Sequence, residues 1–426
     1  IRVLIVTGVQ TCALPISPSA VRGIVDGVRI EGDAALVRYA AEFDRVALTP
    51  DRFRVSESEI AEAAKQVDPA AKKAIRTALK HVQDFARQRI PKAWHYQPRR
   101  GVRLGERFEP LARVGVYIPG GTAQLVSTVI HTAGIAAAAG VREIDAVTPP
   151  GRDGKVHPAV LSAMKAAGVT EIYRLGGVYG IAALAYGTAT VPKVEKIVGP
   201  GNAYVTAAKK LVYGAVAIDM VAGPSEIMVI ADSSADCEFV AADMLSQAEH
   251  GSGFEQAVLV TDDPGFGTAV IAAIERRKQE LPRLTAVDKV LAHGTFVITV
   301  ENLEQAAEIA GKYAPEHLEL CCRKARKLAR SIKAAGAVFI GHWTPEPIGD
   351  FCAGPSHVLP TAGSARFFTG LTVEGFFRRM STVEYTEAAL QDEIAVAEQF
   401  AELEGLLAHG DRKSTRLNSS HDQSSY

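Results

Sequence analysis

The feature that most constrains this chain is an alternation that sets in after residue 107. Short apolar runs of strand length are each followed by a glycine-bearing loop and an alanine-rich stretch of helical period. VGVYIP leads into a helix from about Ser127; IDAVTPP precedes HPAVLSAMKAAG, EIYRLGG precedes GIAALAYGT, and KIVGPG precedes AYVTAAKKLVYG, before AIDMVAGPSEIMVIAD closes the series. A strand, a helical crossover and a second strand make a parallel pair, and a sheet built so is covered by helices on both faces. The rhythm restarts after residue 232 with helix FVAADMLSQAEH, strand QAVLVTDD, helix GTAVIAAIERRKQEL, strand TFVITV, helices LEQAAEIAGKYA and CRKARKLARSIKAAG, and strand AVFIG.

The expected fold class is α/β: two Rossmann-like parallel-sheet units at 107–232 and 233–366, a helical N-terminal arm at 18–106 and a small C-terminal helical piece at 367–410. The segments 1–17 and 411–426 carry no sustained periodicity, resemble translated sequencing-adapter read-through and are expected to be non-native. Lys and Arg number 47 against 48 Asp and Glu, for a net charge of −1, which argues against nucleic-acid binding and charge-driven membrane attachment. The longest weakly polar stretch, 129–141, falls far short of the roughly 20 residues a membrane span needs. Five cysteines (Cys12, Cys237, Cys321, Cys322, Cys352) form no CxxC pair, which fits a reducing cytoplasm and excludes an all-cysteine zinc site.

Ligands of open parallel sheets bind beyond the carboxyl ends of strands, so the loops YIPGG (117–121), GPGN (199–202), GPSE (223–226) and GDFCAG (349–354) are the places to search. Each alone is an ordinary turn; together, feeding helix N-termini, they suit a nucleotide. No GxGxxG fingerprint is present.

Gln247 and His250 lie three residues apart on a helix, a pair that alone is more often decoration than ligand. Asp350 follows a strand within a glycine loop, and His409 lies in AELEGLLAH, five residues after Glu404. An amide oxygen, two imidazoles and a carboxylate suit zinc, with manganese as a substitute, though spacing alone does not bring them together. Glu316-His317 follows Pro315 and reads as the first turn of a helix. Its bland reading is a solvated helix start; its functional reading is an acid and an imidazole for consecutive proton transfers. His357, after the Asp350 loop, reads as a group supporting a ligand, the remaining histidines as structural, and no cysteine has a base placed beside it.

GVYIPGGTA, IAALAYGT, KVEKIVGPGNAYV, DMVAGPSEIMVIAD, LSQAEHG, YAPEHLEL, GDFCAGPSHVLPT and AELEGLLAH, in that order, resemble the histidinol dehydrogenase family over nearly the whole chain. The resemblance implies a homodimer with a shared active site that oxidises L-histidinol to L-histidine with two NAD+, the end of histidine biosynthesis. It implies one Zn2+ per subunit held by Gln247, His250, Asp350 and His409, the last from the partner subunit. Ser225 and Glu404 join those ligands and His317 around the substrate; Glu316 and His317 act as catalytic bases; Tyr117, Tyr179 and Asn202 contact NAD+. Tyr179 is a departure, since the family commonly has Gln there, and a phenol lacks the amide's paired donor and acceptor. The alternatives are a family paralogue oxidising another amino or sulfonated alcohol, which retention of Ser225 and Glu404 disfavours, and an inactive zinc-binding dimer, against which intact Glu316 and His317 speak.

Overall fold

The computed structural model describes residues 17–120, 125–250, 253–406 and 408–409. Gly121 of the first loop, residues 1–16 and the tail 411–426 lie outside the described residues. The chain divides into two compact units, Ile1–Ile90 with Leu111–Phe376, and Pro91–Pro110 with Phe377–Tyr426.

The larger unit opens with helices α1 (Pro18–Glu31), α2 (Asp33–Tyr39), α3 (Glu57–Gln66) and α4 (Pro69–Arg87). A capping box starts α3: Ser56 Oγ accepts from Glu59 N at 3.2 Å while the Glu59 carboxylate accepts from Ser56 N at 3.0 Å, satisfying two donors that a helix start leaves free. On α4 the buried Ile75, Ala78, Leu79, Val82 and Ala86 recur at three- and four-residue steps, the apolar stripe that docks an amphipathic helix. Strands β1 (Trp94–Arg99) and β2 (Val102–Pro110) then belong to the smaller unit.

The first parallel sheet follows: β3 (Arg113–Tyr117), α5 (Val126–Ala138), β4 (Glu143–Val147), α6 (Pro158–Ala167), β5 (Glu171–Tyr173), α7 (Gly177–Tyr186), β6 (Lys196–Val198), α8 (Ala203–Val212) and β7 (Ala217–Ile218). Its order is β5-β4-β3-β6-β7, with every pairing parallel. The second sheet is built from β8 (Glu226–Ala231), α9 (Cys237–Ala248), β9 (Gln256–Thr261), α10 (Pro264–Arg277), α11 (Leu284–His293), β10 (Thr295–Thr299), α12 (Leu303–Tyr313), β11 (His317–Cys321), α13 (Ala325–Leu328), β12 (Ala337–Ile340) and α14 (Glu346–Ile348). Its order, β10-β9-β8-β11-β12, repeats the winding of the first sheet, again all parallel. In each sheet the winding reverses beside the first strand, between β3 and β6 and between β8 and β11.

The expected α/β class with two Rossmann-like units is what the structure shows. Three local expectations differ. Residues 94–110 are strands rather than the end of a helical arm, and 377–385 form β13 (Phe377–Tyr385), not helix; the three strands make an antiparallel sheet of order β1-β2-β13, followed by α15 (Glu387–Leu403). Burial along these strands is slight, so no apolar alternation announced them. The third difference is β11, which the sequence disguised as a helix start. Its HLELC run is wholly buried between β8 and β12, including the charged Glu319, so pairing on both edges overrides the apparent signal of Pro315.

The GPGN loop shows how a strand end is fixed. Gly199 has φ +122°, and a Cβ there would lie 2.3 Å from Tyr117 O, so only glycine fits. Its N–H donates to Asp219 Oδ2 at 2.8 Å, its carbonyl accepts from Lys209 Nζ at 2.8 Å, and Lys209 and Asp219 pair with each other almost fully buried. Removing one partner of a buried pair strands the other charge. Lys209→Ala should therefore cost about 3–5 kcal/mol of stability in urea denaturation at pH 7; a loss below about 1 kcal/mol, the range of surface pairs, would show that the pair is not a structural anchor.

Candidate active site

His317 is the first residue of β11, and Glu316 precedes it immediately. Parallel register sets His317 beside Ile227 of β8 and Ala337 of β12, so the acid and imidazole emerge at the amino ends of the central strands. For the second sheet this corrects the rule that directs attention to carboxyl ends: GPSE leads into β8 instead of leaving a strand. It also corrects the expectation of a first helical turn, because Glu316 and His317 are 5% and 2% exposed and start a central strand.

His317 Nδ1 lies 3.1 Å from Glu226 O, which only an N–H can bond, so Nδ1 carries a proton and donates. Nε2 lies 3.2 Å from Asp350 Oδ1 and 3.9 Å from Glu346 Oε1. Glu316 Oε2 accepts from Glu226 N at 2.9 Å and sits 3.7 Å from His317 Nδ1. Burial favours neutral His317, but the surrounding Glu316, Asp350 and Glu346 outweigh it and push its pKa up to about 10. Burial pushes Glu316 up to about 8 despite the neighbouring His317. Burial also works to raise Asp350, yet its bond to His317, with the charges of His317 and His357, holds it far below the carboxylate range.

Asp350 sits on a single wide turn at Gly349–Ala353, just after α14, and three elements grip that turn. His81 Nδ1 of α4 lies 2.9 Å from Cys352 O, and His357 Nδ1 lies 3.1 Å from Asp350 O. His131 of α5, fully buried, stacks on His357 with ring centroids 4.5 Å apart. His357 thus supports the Asp350 turn through its backbone, matching the supporting role read from the sequence.

Gln247 closes the last turn of α9 at 0% exposure, and neither its amide nitrogen nor its amide oxygen has a hydrogen-bond partner. A buried amide left so costs free energy unless a ligand satisfies it, and a carbonyl-type oxygen is a ligand that zinc accepts. The next residue but two, His250, lies just past the helix end with Nδ1 3.2 Å from Gln247 O. Its charge reaches His357: burial lowers the His357 pKa, Asp350 opposes, and His317 and His250 add to the lowering. Gln247, His250 and Asp350 therefore offer donor types that suit a divalent cation. Among the described residues, His317, Glu346 and Asp350 also bring donor atoms within 4.8 Å of one another. Asp350 is common to both sets.

Glu346 is the residue the sequence reading missed. It is 2% exposed, accepts from Ser246 Oγ of α9 at 3.4 Å, and its N–H donates to buried Glu319 at 2.7 Å. Burial, reinforced by Asp350, pushes it up to about 8. The available signal was its spacing, four residues before Asp350 in EPIGD, which one helical turn converts into proximity. Ser225 sits half-buried directly before β8. Glu404 and His409 belong to the smaller unit and are exposed.

On the first sheet, Tyr117 ends β3, and its hydroxyl accepts from Gly177 N at 3.3 Å. Tyr179 is 1% exposed and donates its hydroxyl to Asp44, so it is a core residue whose polar tip is already engaged. Asn202 caps α8, its Oδ1 accepting from Tyr204 N and Val205 N at 3.1 Å each. By contrast the N-cap residue of α7, Gly176, supplies no side-chain cap, Tyr117 taking only the Gly177 N–H, and around a Cβ built on Gly177, at φ +50°, no atom lies within 4 Å. A helix start with first-turn donors left over beneath an open glycine suits a pyrophosphate, so the first sheet fits a dinucleotide.

The sequence profile of the family described as "Histidinol dehydrogenase" matches residues 16–417. The chain is 47% identical over 401 residues to histidinol dehydrogenase of Synechococcus sp., covering 94% of this chain and 92% of that protein. To histidinol dehydrogenase of Gloeobacter violaceus it is 46% identical, covering 94% and 89%. The crystal structure of histidinol dehydrogenase from Elizabethkingia anophelis superposes with a TM-score of 0.92 at 36% identity, covering 97% of this chain and 95% of that one. An acetylating aldehyde dehydrogenase from Geobacillus thermoglucosidasius, at 15% identity and TM-score 0.50 over 88% and 99%, shares the fold alone.

The buried charges make a prediction for the metal-free protein. Glu226, Glu316 and Glu346 are raised from 4.5 to about 7, 8 and 8, and His317 from 6.5 to about 10. Between each pair of values the folded state holds the extra proton, so each group withdraws stability as pH rises. Asp350, shifted downward, acts only at acidic pH. The urea midpoint of chelator-treated protein should fall steadily from about pH 5.5 to about pH 9; a flat or rising midpoint would contradict the buried constellation.

Proposed function

The chain belongs to the histidinol dehydrogenase family and is an NAD-dependent oxidoreductase, and from that premise we propose that it carries L-histidinol through L-histidinal to L-histidine. The observation that supports this reading best is the buried pair Glu316 and His317 with Asp350 bonded to the imidazole, together with a fully buried Gln247 amide that lacks a partner. We place the enzyme in the cytoplasm, as a homodimer whose active site is shared. Among the described residues no helix is long and apolar enough to cross a membrane.

Gln247, His250 and Asp350, with His409 of the partner subunit, would hold one zinc ion. That ion would supply a positive charge that anchors the nitrogen-rich substrate and so helps to orient its reacting carbon. Tyr117 and Asn202 would hold NAD+ over the first sheet, with Tyr179 shaping that surface through Asp44, and the cofactor would supply the hydride acceptor for both oxidations. Ser225 and Glu404 complete the substrate contacts.

Proton handling follows from the chain's own groups. The bond from Nδ1 to Glu226 O fixes one tautomer of neutral His317, with Nε2 as the free base. Once Asp350 is engaged elsewhere, Nε2 loses the carboxylate that held its proton and can accept the hydroxyl proton of histidinol as hydride departs. Glu316, with a pKa pushed up to about 8, then takes a proton from water as the oxygen attacks the aldehyde. His317, having released its first proton to solvent between the two oxidations, accepts the proton of the resulting hydrate at Nε2 during the second hydride loss. Burial of both residues keeps bulk water from the aldehyde, and no step asks for a cysteine nucleophile.

Purified protein supplied with zinc, NAD+ and L-histidinol should form about two NADH per histidine, the stoichiometry of two hydride transfers. One NADH per product, or none, would overturn the scheme. His317→Ala should keep its zinc by metal analysis while turnover falls roughly 10²- to 10⁴-fold, the usual worth of a positioned base. Chelation should abolish activity and zinc should restore it; turnover by fully metal-free protein would remove the anchoring role.

A further inference from the structure

Glu316 is only 5% exposed, so a proton that it takes from water must leave through a neighbour. Its Oε2 lies 3.7 Å from His317 Nδ1 and accepts from Glu226 N at 2.9 Å. Neither nitrogen can take the proton: Nδ1 already carries one, directed at Glu226 O, and a backbone N–H has no lone pair to offer. The carboxyl group of Glu226 remains. Glu226 opens β8, and parallel register sets it beside Glu316, one position before the pair His317 and Ile227.

The two oxygens of that carboxyl differ. Oε1 accepts from Ala362 N at 3.0 Å, whereas Oε2 is buried and has no hydrogen-bond partner. A buried acceptor left so costs free energy until a proton or a donor reaches it. Ala362 presents its N–H from a left-handed backbone, φ +54°, which a residue with a Cβ adopts only when its surroundings hold it there. Ala362 is itself exposed, as is Gly223, whose N–H donates to Thr361 Oγ1 beside it. Glu226 thus bridges the enclosed Glu316 and the protein surface.

We propose that Glu226 is the proton exit of Glu316: the proton drawn from water passes to the unpartnered oxygen of the Glu226 carboxylate and from there to solvent beside Ala362. The proposal rests on the reading of Glu316 as the base of the second oxidation. In the transfer one O–H bond breaks on Glu316 and one forms on Glu226, the negative charge moves the opposite way, and nothing is oxidised or reduced. Burial raises both groups, Glu226 to about 7 against the Ala362 N–H and the His317 charge, and Glu316 to about 8, so each can take up and release a proton near neutral pH. The other charges around the pair are Asp350 and Glu346, which face Glu316; β9 sets uncharged Gln256 beside Glu226, and residues 361–363 carry no charge. Glu226 touches no reacting atom and acts through Glu316.

Glu226→Gln keeps the side chain's shape and an oxygen for the Ala362 N–H, but accepts no proton. With the zinc-loaded full chain, NAD+ and L-histidinal, its plateau rate should fall at least about tenfold and its solvent deuterium isotope effect should grow at least about 1.5-fold. The rise of rate with pH should also move at least about half a unit to lower pH, because Glu316 loses a neighbouring negative charge. A side chain that merely held the fold would lower the rate while leaving the isotope effect and the pH limb in place; that result, or a wild-type rate, sinks the proposal. Where the glutamine variant does not fold, Glu226→Asp replaces it: a carboxyl one carbon short should cost at least about threefold in plateau rate with a larger isotope effect, and an unchanged isotope effect tells against the exit. Wild-type chain that oxidises L-histidinal while these variants behave like it loses the exit alone. Wild-type chain that does not oxidise L-histidinal loses the activity reading and the exit with it.

Discussion

The parallel register of β11 against β8 is the constraint from which the site follows. It sets His317 opposite Ile227, and so brings Glu226, whose backbone carbonyl and N–H orient His317 and Glu316, to the same edge of the sheet. A shift of one residue would turn His317 to the other face of the strand and separate it from Asp350. Such a shift is opposed by β12, since register is held on both edges of a buried strand. The acid–imidazole couple is therefore positioned by backbone pairing, the least adjustable part of the fold, while Asp350 arrives on a turn gripped from outside by histidines.

Much of this was legible. Strand-helix alternation is a strong signal because each half of it must bury an apolar face, and it led to the two sheets and their parallel order. The motif order led to Glu316, His317, Gln247, His250 and Asp350, and the structure buries the first two against Asp350. What stayed hidden has physical causes. HLELC alternates polar and apolar residues as a strand does, but it is only five residues long and follows Pro315, whose helix-start signal hid the alternation, and nothing local shows that its glutamate is buried. Strands 94–99 and 377–385 expose most of their side chains, so they bear little apolar pattern to read.

Glu346 was hidden for another reason: a glutamate among prolines ordinarily signals a solvated loop, and its burial depends on Ser246 and the backbone of its own strand-to-turn connection meeting Glu319. The two sheets also divide the work unequally. On the first, an open glycine and a helix start whose N-cap residue brings no side chain leave space for a ligand at the carboxyl ends. On the second, the amino ends carry reactive groups that are already hydrogen-bonded to one another. One winding pattern thus serves two tasks, by filling opposite ends of its strands with different chemistry.

Gln247 carries a further consequence. Its amide is enclosed with nothing to bond in the bare chain, so a leucine of similar volume would give a more stable polypeptide at that position. Lineages that no longer needed the reaction would drift toward such a residue, since stability alone gives no reason to keep the amide. The glutamine at this buried helix end is accounted for by what it binds, not by what it adds to the fold.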